Sequence, residues 1–245
     1  MVIDTLISQL HEQLDILKEE RPVIEELAAA IAAAVRHGGV VFCGDIGHGM
    51  SGDFLNRAGG LAFVRPFQYT FTTNQPVAEK LSKREPTPAL NSALGAARLA
   101  VVSGNLRSGD FMVLGSVSGR SAAPTEIALA CREIGVKVVA LTSRKYTAQV
   151  KGDHPTGKRL IDCADYVLDL HTPYGDAAVD IPGYDHKLIP FSGMSALVVG
   201  WMLWGRVMEL MANDAEQPVT FMSVNRENGK AIYDAAIKRF NERGF

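Results

Sequence analysis

Cysteine is scarce. Only Cys43, Cys131 and Cys163 occur in 245 residues, too few and too scattered for a disulfide framework or a zinc cluster. Cys43 and Cys131 fall in a predicted strand and a predicted helix, where a buried reduced thiol is expected. No His/Cys/Asp spacing suggests a metal site, so neither a metal nor another cofactor is expected. Charge of one sign is also lacking. Twenty-five Lys and Arg against 27 Asp and Glu leave a net charge of −2, which gives no basic field to draw in nucleic acid. No Gly-x-x-x-x-Gly-Lys-Ser/Thr occurs, which argues against nucleotide hydrolysis. Asp4 and the polar residues after it interrupt any apolar leader, so a reducing cytoplasm is the expected location.

Long hydrophobic runs are nearly absent. The one uncharged stretch of note, Leu188 to Gly205, is 18 residues long and carries Pro190, Ser192, Gly193 and Ser195 at its start. That leaves too short an apolar segment for a membrane span, and a helix buried in a core or a subunit interface is expected. With 47% hydrophobic and 21% charged residues, the rest is ordinary for a globular chain able to bury a core.

What is present is a regular alternation. Residues 3–20 and 22–35 carry apolar residues at helical spacing, and Gly38-Gly39 stops the second helix. Residues 1–37 hold three basic against seven acidic residues, an unsuitable DNA-binding head. This N-terminal hairpin is expected at an oligomer interface, with 38–245 as the main domain. Strands are predicted at Val40–Cys43, Ala62–Phe67, Phe111–Leu114, Lys137–Leu141 and Tyr166–Leu170. Helices are predicted near Ser51–Gly60, Asn91–Val102, Thr125–Ile134, 193–212 and 226–241. Residues 68–88 read as a long polar loop dotted with Pro76, Pro86 and Pro88. Such alternation implies an α/β fold, three-layer αβα, with a mostly parallel, flavodoxin-like five-stranded sheet. Ligands of such sheets sit at the carboxyl ends of the strands, where strand order reverses.

Two loops leave such ends. After Phe111–Leu114 come Ser116, Ser118 and Ser121, and Pro124 then falls where a helix begins. Three hydroxyls beside the free N–H groups of a helix start suit an anion such as a phosphate. A serine-rich turn with an ordinary cap is the plainer alternative. The other loop, Gly47-His48-Gly49-Met50-Ser51-Gly52, matches the dinucleotide fingerprint Gly-x-Gly-x-x-Gly and supports a rival reading, a nicotinamide-dependent oxidoreductase. Against it, no acidic residue lies between Asp53 and Glu79 to hold a ribose, and no Tyr-x-x-x-Lys pair occurs.

The string Ser116-Val117-Ser118-Gly119-Arg120-Ser121 after a strand resembles the phosphate loop of SIS (sugar isomerase) domains. Val138–Ser143, His154–Leu160, Ala164–Asp169 and Tyr174–Ala177 are similar to a bacterial subgroup described as phosphosugar-binding proteins or phosphosugar isomerases. The likeness covers most of 38–245. It departs at Gly47-His48-Gly49, where the subgroup usually shows Gly-His-Ser; Ser51 is the nearest hydroxyl. The resemblance implies a phosphorylated sugar as ligand, aldose–ketose isomerisation through an enediolate as the reaction, no cofactor, and a dimer or tetramer. A non-catalytic phosphosugar sensor is the alternative, and a sugar-phosphate etherase a third.

Isomerisation needs a base, usually a carboxylate, and often a histidine for ring opening. The catalytic candidates are Glu126, His48 and His154. Glu126 equally suits the dipole of its own helix, and His154 equally suits a surface loop. Gly47, Gly49, Ser51, Ser116, Ser118, Gly119, Arg120, Ser121, Lys158 and Asp176 are the candidates for holding the ligand. Arg120 has two readings, an anion contact or a contact with a second subunit. Lys158 pairs with substrate oxygens or is solvated. Asp176 positions a sugar hydroxyl or caps the next turn. His11, His37, His171 and His186 have no motif around them and are expected to be bland.

Overall fold

The computed structural model describes residues 1–44, 50–85 and 92–245, and side chains for all of these except Met50 and Ser92. Helix α1 (Val2–Leu17) runs through a 3-10 turn at Lys18–Glu20 into α2 (Arg21–Arg36), with Pro22 in its first turn, where a missing N–H is harmless. One stripe of α2 is buried: Ile24, Leu27, Ala28, Ile31, Ala32 and Val35, the spacing of a helix laid on a core.

Five parallel strands follow: β1 (Val41–Cys43), β2 (Val64–Pro66), β3 (Phe111–Gly115), β4 (Lys137–Thr142) and β5 (Tyr166–Asp169), in the order β2-β1-β3-β4-β5. Between them lie α3 (Ser92–Val102), α4 (Ala122–Glu133) and the short α5 (Arg144–Thr147). Successive strand residues serve opposite faces. Val113, Val139 and Leu141 join a core with α2 and α6 (Ser192–Met211), whereas Met112, Leu114, Val138 and Ala140 pack with α3 and α4. The result is a three-layer αβα sandwich. Strands buried on both faces explain the short, wholly apolar runs.

Three details differ from the sequence reading. The helix expected at Ser51–Gly60 is a single 3-10 turn, Met50–Asp53, because Asn56 and Gly59 take left-handed backbone and break the run. Phe54 leaves that turn to pack over Gly200 of α6, where a Cβ would lie 2.2 Å from its ring. The second strand is only Val64–Pro66; Leu61 instead bridges Thr220. An unforeseen antiparallel pair, β6 (Ala177–Val179) and β7 (Leu188–Pro190), precedes α6. The uncharged stretch from Leu188 therefore divides into a strand and a helix. That helix is long and apolar enough to cross a membrane by length and composition, but it buries Ala196, Val199, Leu203, Trp204 and Val207 in the core. The last helix, α7 (Gly229–Arg243), closes a small cluster with Ala62, Val219 and Phe221.

Candidate functional site

Strand order reverses between β1 and β3, the place at the carboxyl edge where ligands of parallel sheets sit. The loop after β1 contains Gly47, His48 and Gly49, which lie outside the described residues. Ser51, half-buried, sits in the 3-10 turn that follows.

The loop after β3 is held from behind through its carbonyl groups. Val117 O accepts from Ser143 N at 2.9 Å, Ser118 O from Thr147 Oγ1 at 3.0 Å and Gly119 O from Leu160 N at 2.8 Å. Arg120 O accepts from Asp153 N at 2.8 Å, and Ser121 O from Thr125 Oγ1 at 2.9 Å. Gly119 is required here: its φ is +69°, and a Cβ would meet Thr147 Oγ1 at 2.8 Å. Donors on the other side are left uncommitted. Ser121 is the N-cap of α4, yet its hydroxyl makes no cap hydrogen bond. Among the described residues, the Ser116 and Ser121 hydroxyls have no partner, and Ser118 Oγ has only a 3.5 Å contact from Arg120 N. Ser116 and Ser118 are half-buried and Ser121 is exposed, so none is locked in the core. α4 begins at Ala122, two residues before Pro124, and its first amides have no partner inside the helix. A concave, mainly apolar hollow of about 290 Å³ adjoins this turn, lined by Phe67, Gln68, Tyr69, Leu114, Ala123, Pro124 and Ile127. A larger hollow of about 480 Å³ opens at the opposite, amino ends of β1 and β3; there Asp110 is already committed to the amides of Val40 and Arg107.

Glu126, on the next turn of α4, and His154, in the loop before β5, are brought together. His154 Nε2 lies 2.7 Å from Glu126 Oε2, and both residues are buried. Thr156 N donates to His154 Nδ1 at 3.2 Å, so Nδ1 carries a lone pair and Nε2 carries the proton given to Glu126. Arg98, on α3, was not foreseen. Its guanidinium reaches Glu126 Oε1 at 2.9 Å and also binds Glu133. Burial pushes the Glu126 carboxyl up, but the hydrogen bonds from His154 and Arg98 outweigh this and leave it below its ordinary range. The same two carboxylates hold the Arg98 pKa raised. A carboxylate so stabilised, facing an imidazole with both nitrogens engaged, clamps loop to helix.

Arg120 pairs with Asp153 through Nε (3.0 Å) and Nη2 (2.7 Å), which lowers the Asp153 carboxyl. Lys158 is exposed, and among the described residues its ammonium makes no ion pair. Asp176 lies at the foot of α6: its Oδ1 accepts from Ser192 N at 2.8 Å and its Oδ2 from Ser192 Oγ at 2.5 Å. These contacts hold the start of α6 to the turn before β6. All three cysteines are buried, and desolvation pushes the Cys131 thiol up to about 12, an inert structural state.

The SIS-domain family model matches residues 7–143, more than half of the chain. The chain belongs to the SIS-domain family. SIS relatives include a UPF0309 protein of Listeria monocytogenes serotype 4b, 31% identical over 94% of this chain and 91% of its own length. Another, from Streptomyces coelicolor, is 30% identical over 96% of this chain and 95% of its own. Among solved SIS-like structures, a phosphoheptose isomerase from Francisella tularensis aligns with TM-score 0.47 at 16% identity, covering 84% of this chain and 98% of that one.

Proposed function

We propose that this chain binds a phosphorylated sugar, its phosphate seated on the Ser116–Ser121 loop and the start of α4, and interconverts aldose and ketose forms through an enediolate. What supports the reading is that the loop's carbonyls are engaged while its hydroxyl donors are not. The carbonyls of residues 117–121 each accept a hydrogen bond, whereas among the described residues the Ser116 and Ser121 hydroxyls and the first helix amides remain open donors. Hydrogen bonds to a charged group contribute about 1.5–3 kcal/mol each. Removing three hydroxyls together (Ser116→Ala, Ser118→Ala, Ser121→Ala) should weaken sugar-phosphate binding by about a hundredfold or more. Calorimetry against phosphorylated aldoses and ketoses measures this, with circular dichroism to verify the fold. Unchanged affinity would refute the phosphate assignment.

The second reading, a phosphosugar sensor without turnover, is favoured by the closed Glu126–His154 clamp and by glycine at position 49. Solvent deuterium entering the carbon beside the carbonyl separates the two, since only the enzyme exchanges it. The reading includes a cytoplasmic location and a homo-oligomer, supported by the scarcity of cysteine and an exposed apolar stripe on α1.

A further inference from the structure

A second carboxylate–imidazole pair lies at the same carboxyl edge of the sheet, and its chemistry differs from that of Glu126 and His154. His171 follows β5 with φ +52°, a conformation uncommon for a residue with a side chain and often found at functional positions. Its Nε2 is 2.8 Å from Oε1 of Glu20, a buried carboxylate in the turn between α1 and α2. Glu20 Oε2 accepts from Asp169 N at 2.9 Å, which fixes the carboxylate in place. A carboxylate only accepts, so Nε2 carries the proton and Nδ1 of the neutral ring presents a lone pair. That nitrogen has no hydrogen-bond partner among the described residues; the nearest charge is Asp169 Oδ2 at 4.0 Å. The ring is partly open, with 21% of the side chain exposed. In His154, by contrast, both nitrogens are engaged.

The pair is joined to the phosphate loop. Asp169 Oδ1 accepts from both His171 N (2.9 Å) and Arg144 N (3.1 Å). Ser143, beside Arg144, donates its amide to Val117 O and its hydroxyl to Thr172 O at 2.6 Å. Neighbouring strands are about 4.8 Å apart, so the ends of β3 and β5 are separated by roughly 10 Å, within reach of a phosphorylated sugar. Arg144 is more than half exposed, its Nε 3.8 Å from Asp169, and Thr172 Oγ1 is buried without a partner.

We infer that His171 is the base of the proposed isomerisation, with Glu20 as its positioning residue; this rests on the sugar-phosphate reading above. Nδ1 takes the proton from the carbon next to the carbonyl, the C–H electron pair forms the enediolate, and the carbonyl oxygen takes the negative charge beside Arg144. The imidazolium, paired with Glu20, then returns the proton to the neighbouring carbon, while the hydroxyl proton of the enediolate passes to the former carbonyl oxygen; the new carbonyl closes and the imidazole is neutral again.

Asparagine tolerates the left-handed backbone, so His171→Asn preserves the chain path. It should lower deuterium exchange into a bound aldose or ketose phosphate by about 10²–10⁴-fold, with calorimetric affinity unchanged. Nitrogen-15 spectra of the wild-type ring should show the neutral form as the tautomer protonated on Nε2. Exchange at the wild-type rate in the variant, affinity lost in parallel with exchange, or a protonated Nδ1 in the neutral ring would each overturn the inference. Wild-type binding without exchange overturns it too but leaves the phosphate seat standing. Binding of no phosphorylated sugar removes both.

Discussion

His154 and Glu126 meet through a 2.7 Å hydrogen bond that fastens the loop before β5 to α4, and the amide of Thr156 sets which imidazole nitrogen carries the proton. Arg98 completes the contact from α3, so one carboxylate ties two helices and a loop together. Its position beside the first turn of α4 makes it part of the frame of the candidate site.

That frame carries a pH signature. The Glu126 carboxyl is lowered in the folded protein, so the ionised form is favoured over its unfolded value of about 4.3. A depressed folded value means the stabilisation is fully present above about pH 4.3 and is lost as pH falls through the folded value. Glu126→Ala, which strands the buried His154 donor, should cost about 1–3 kcal/mol near neutral pH. Urea unfolding across the acid range should show the gap between variant and wild type narrowing below about pH 4. A gap constant with pH would mean that the charge of Glu126 adds nothing.

The Ser116–Ser121 loop depends on one backbone conformation. At Gly119 the left-handed φ and the 2.8 Å approach of a would-be Cβ to Thr147 Oγ1 act together. Gly119→Ala should cost about 1–3 kcal/mol of stability and, by moving the carbonyls held from behind, weaken phosphate-ester binding more than global stability. Denaturation midpoints and calorimetry on one sample report both. Wild-type values on both measurements would show that the loop relaxes freely around a methyl group.

Much of this architecture was legible because a parallel sheet buried on both faces writes its strands as short apolar runs, as at Met112–Leu114 and Val138–Leu141. The Ser116–Ser121 loop was legible for the same reason, since it begins where such a run stops. Elements shaped by tertiary contact were not. Phe54 leaves its turn only because Gly200 of α6 offers a slot, and Leu188–Pro190 pairs with Ala177–Val179 inside what reads as one apolar stretch. Arg98 and Glu126 are 28 residues apart on different helices, and Glu20 and His171 are 151 apart. No local pattern around His171 signals its carboxylate partner; only the packing of the N-terminal hairpin against β5 supplies it.

That hairpin also bears an unpartnered seam. On α1, Ile3, Ile7 and Leu14 are exposed at 68%, 49% and 42%, and with the half-buried Leu10 they follow the 4-3-4 spacing that two helices use to interlock, whereas Leu17 beyond them is buried in the core. Burying each such side chain contributes about 1.5–3 kcal/mol, so a symmetric pairing of two copies through α1 gains from both seams at once. Sedimentation at micromolar concentration should show the wild type as a dimer or larger assembly. The double substitution Ile7→Glu, Leu14→Glu should give a folded monomer, because it places charges where the seam requires apolar contact. If the wild type sediments as a monomer, or the double variant stays assembled, α1 is not the contact between copies.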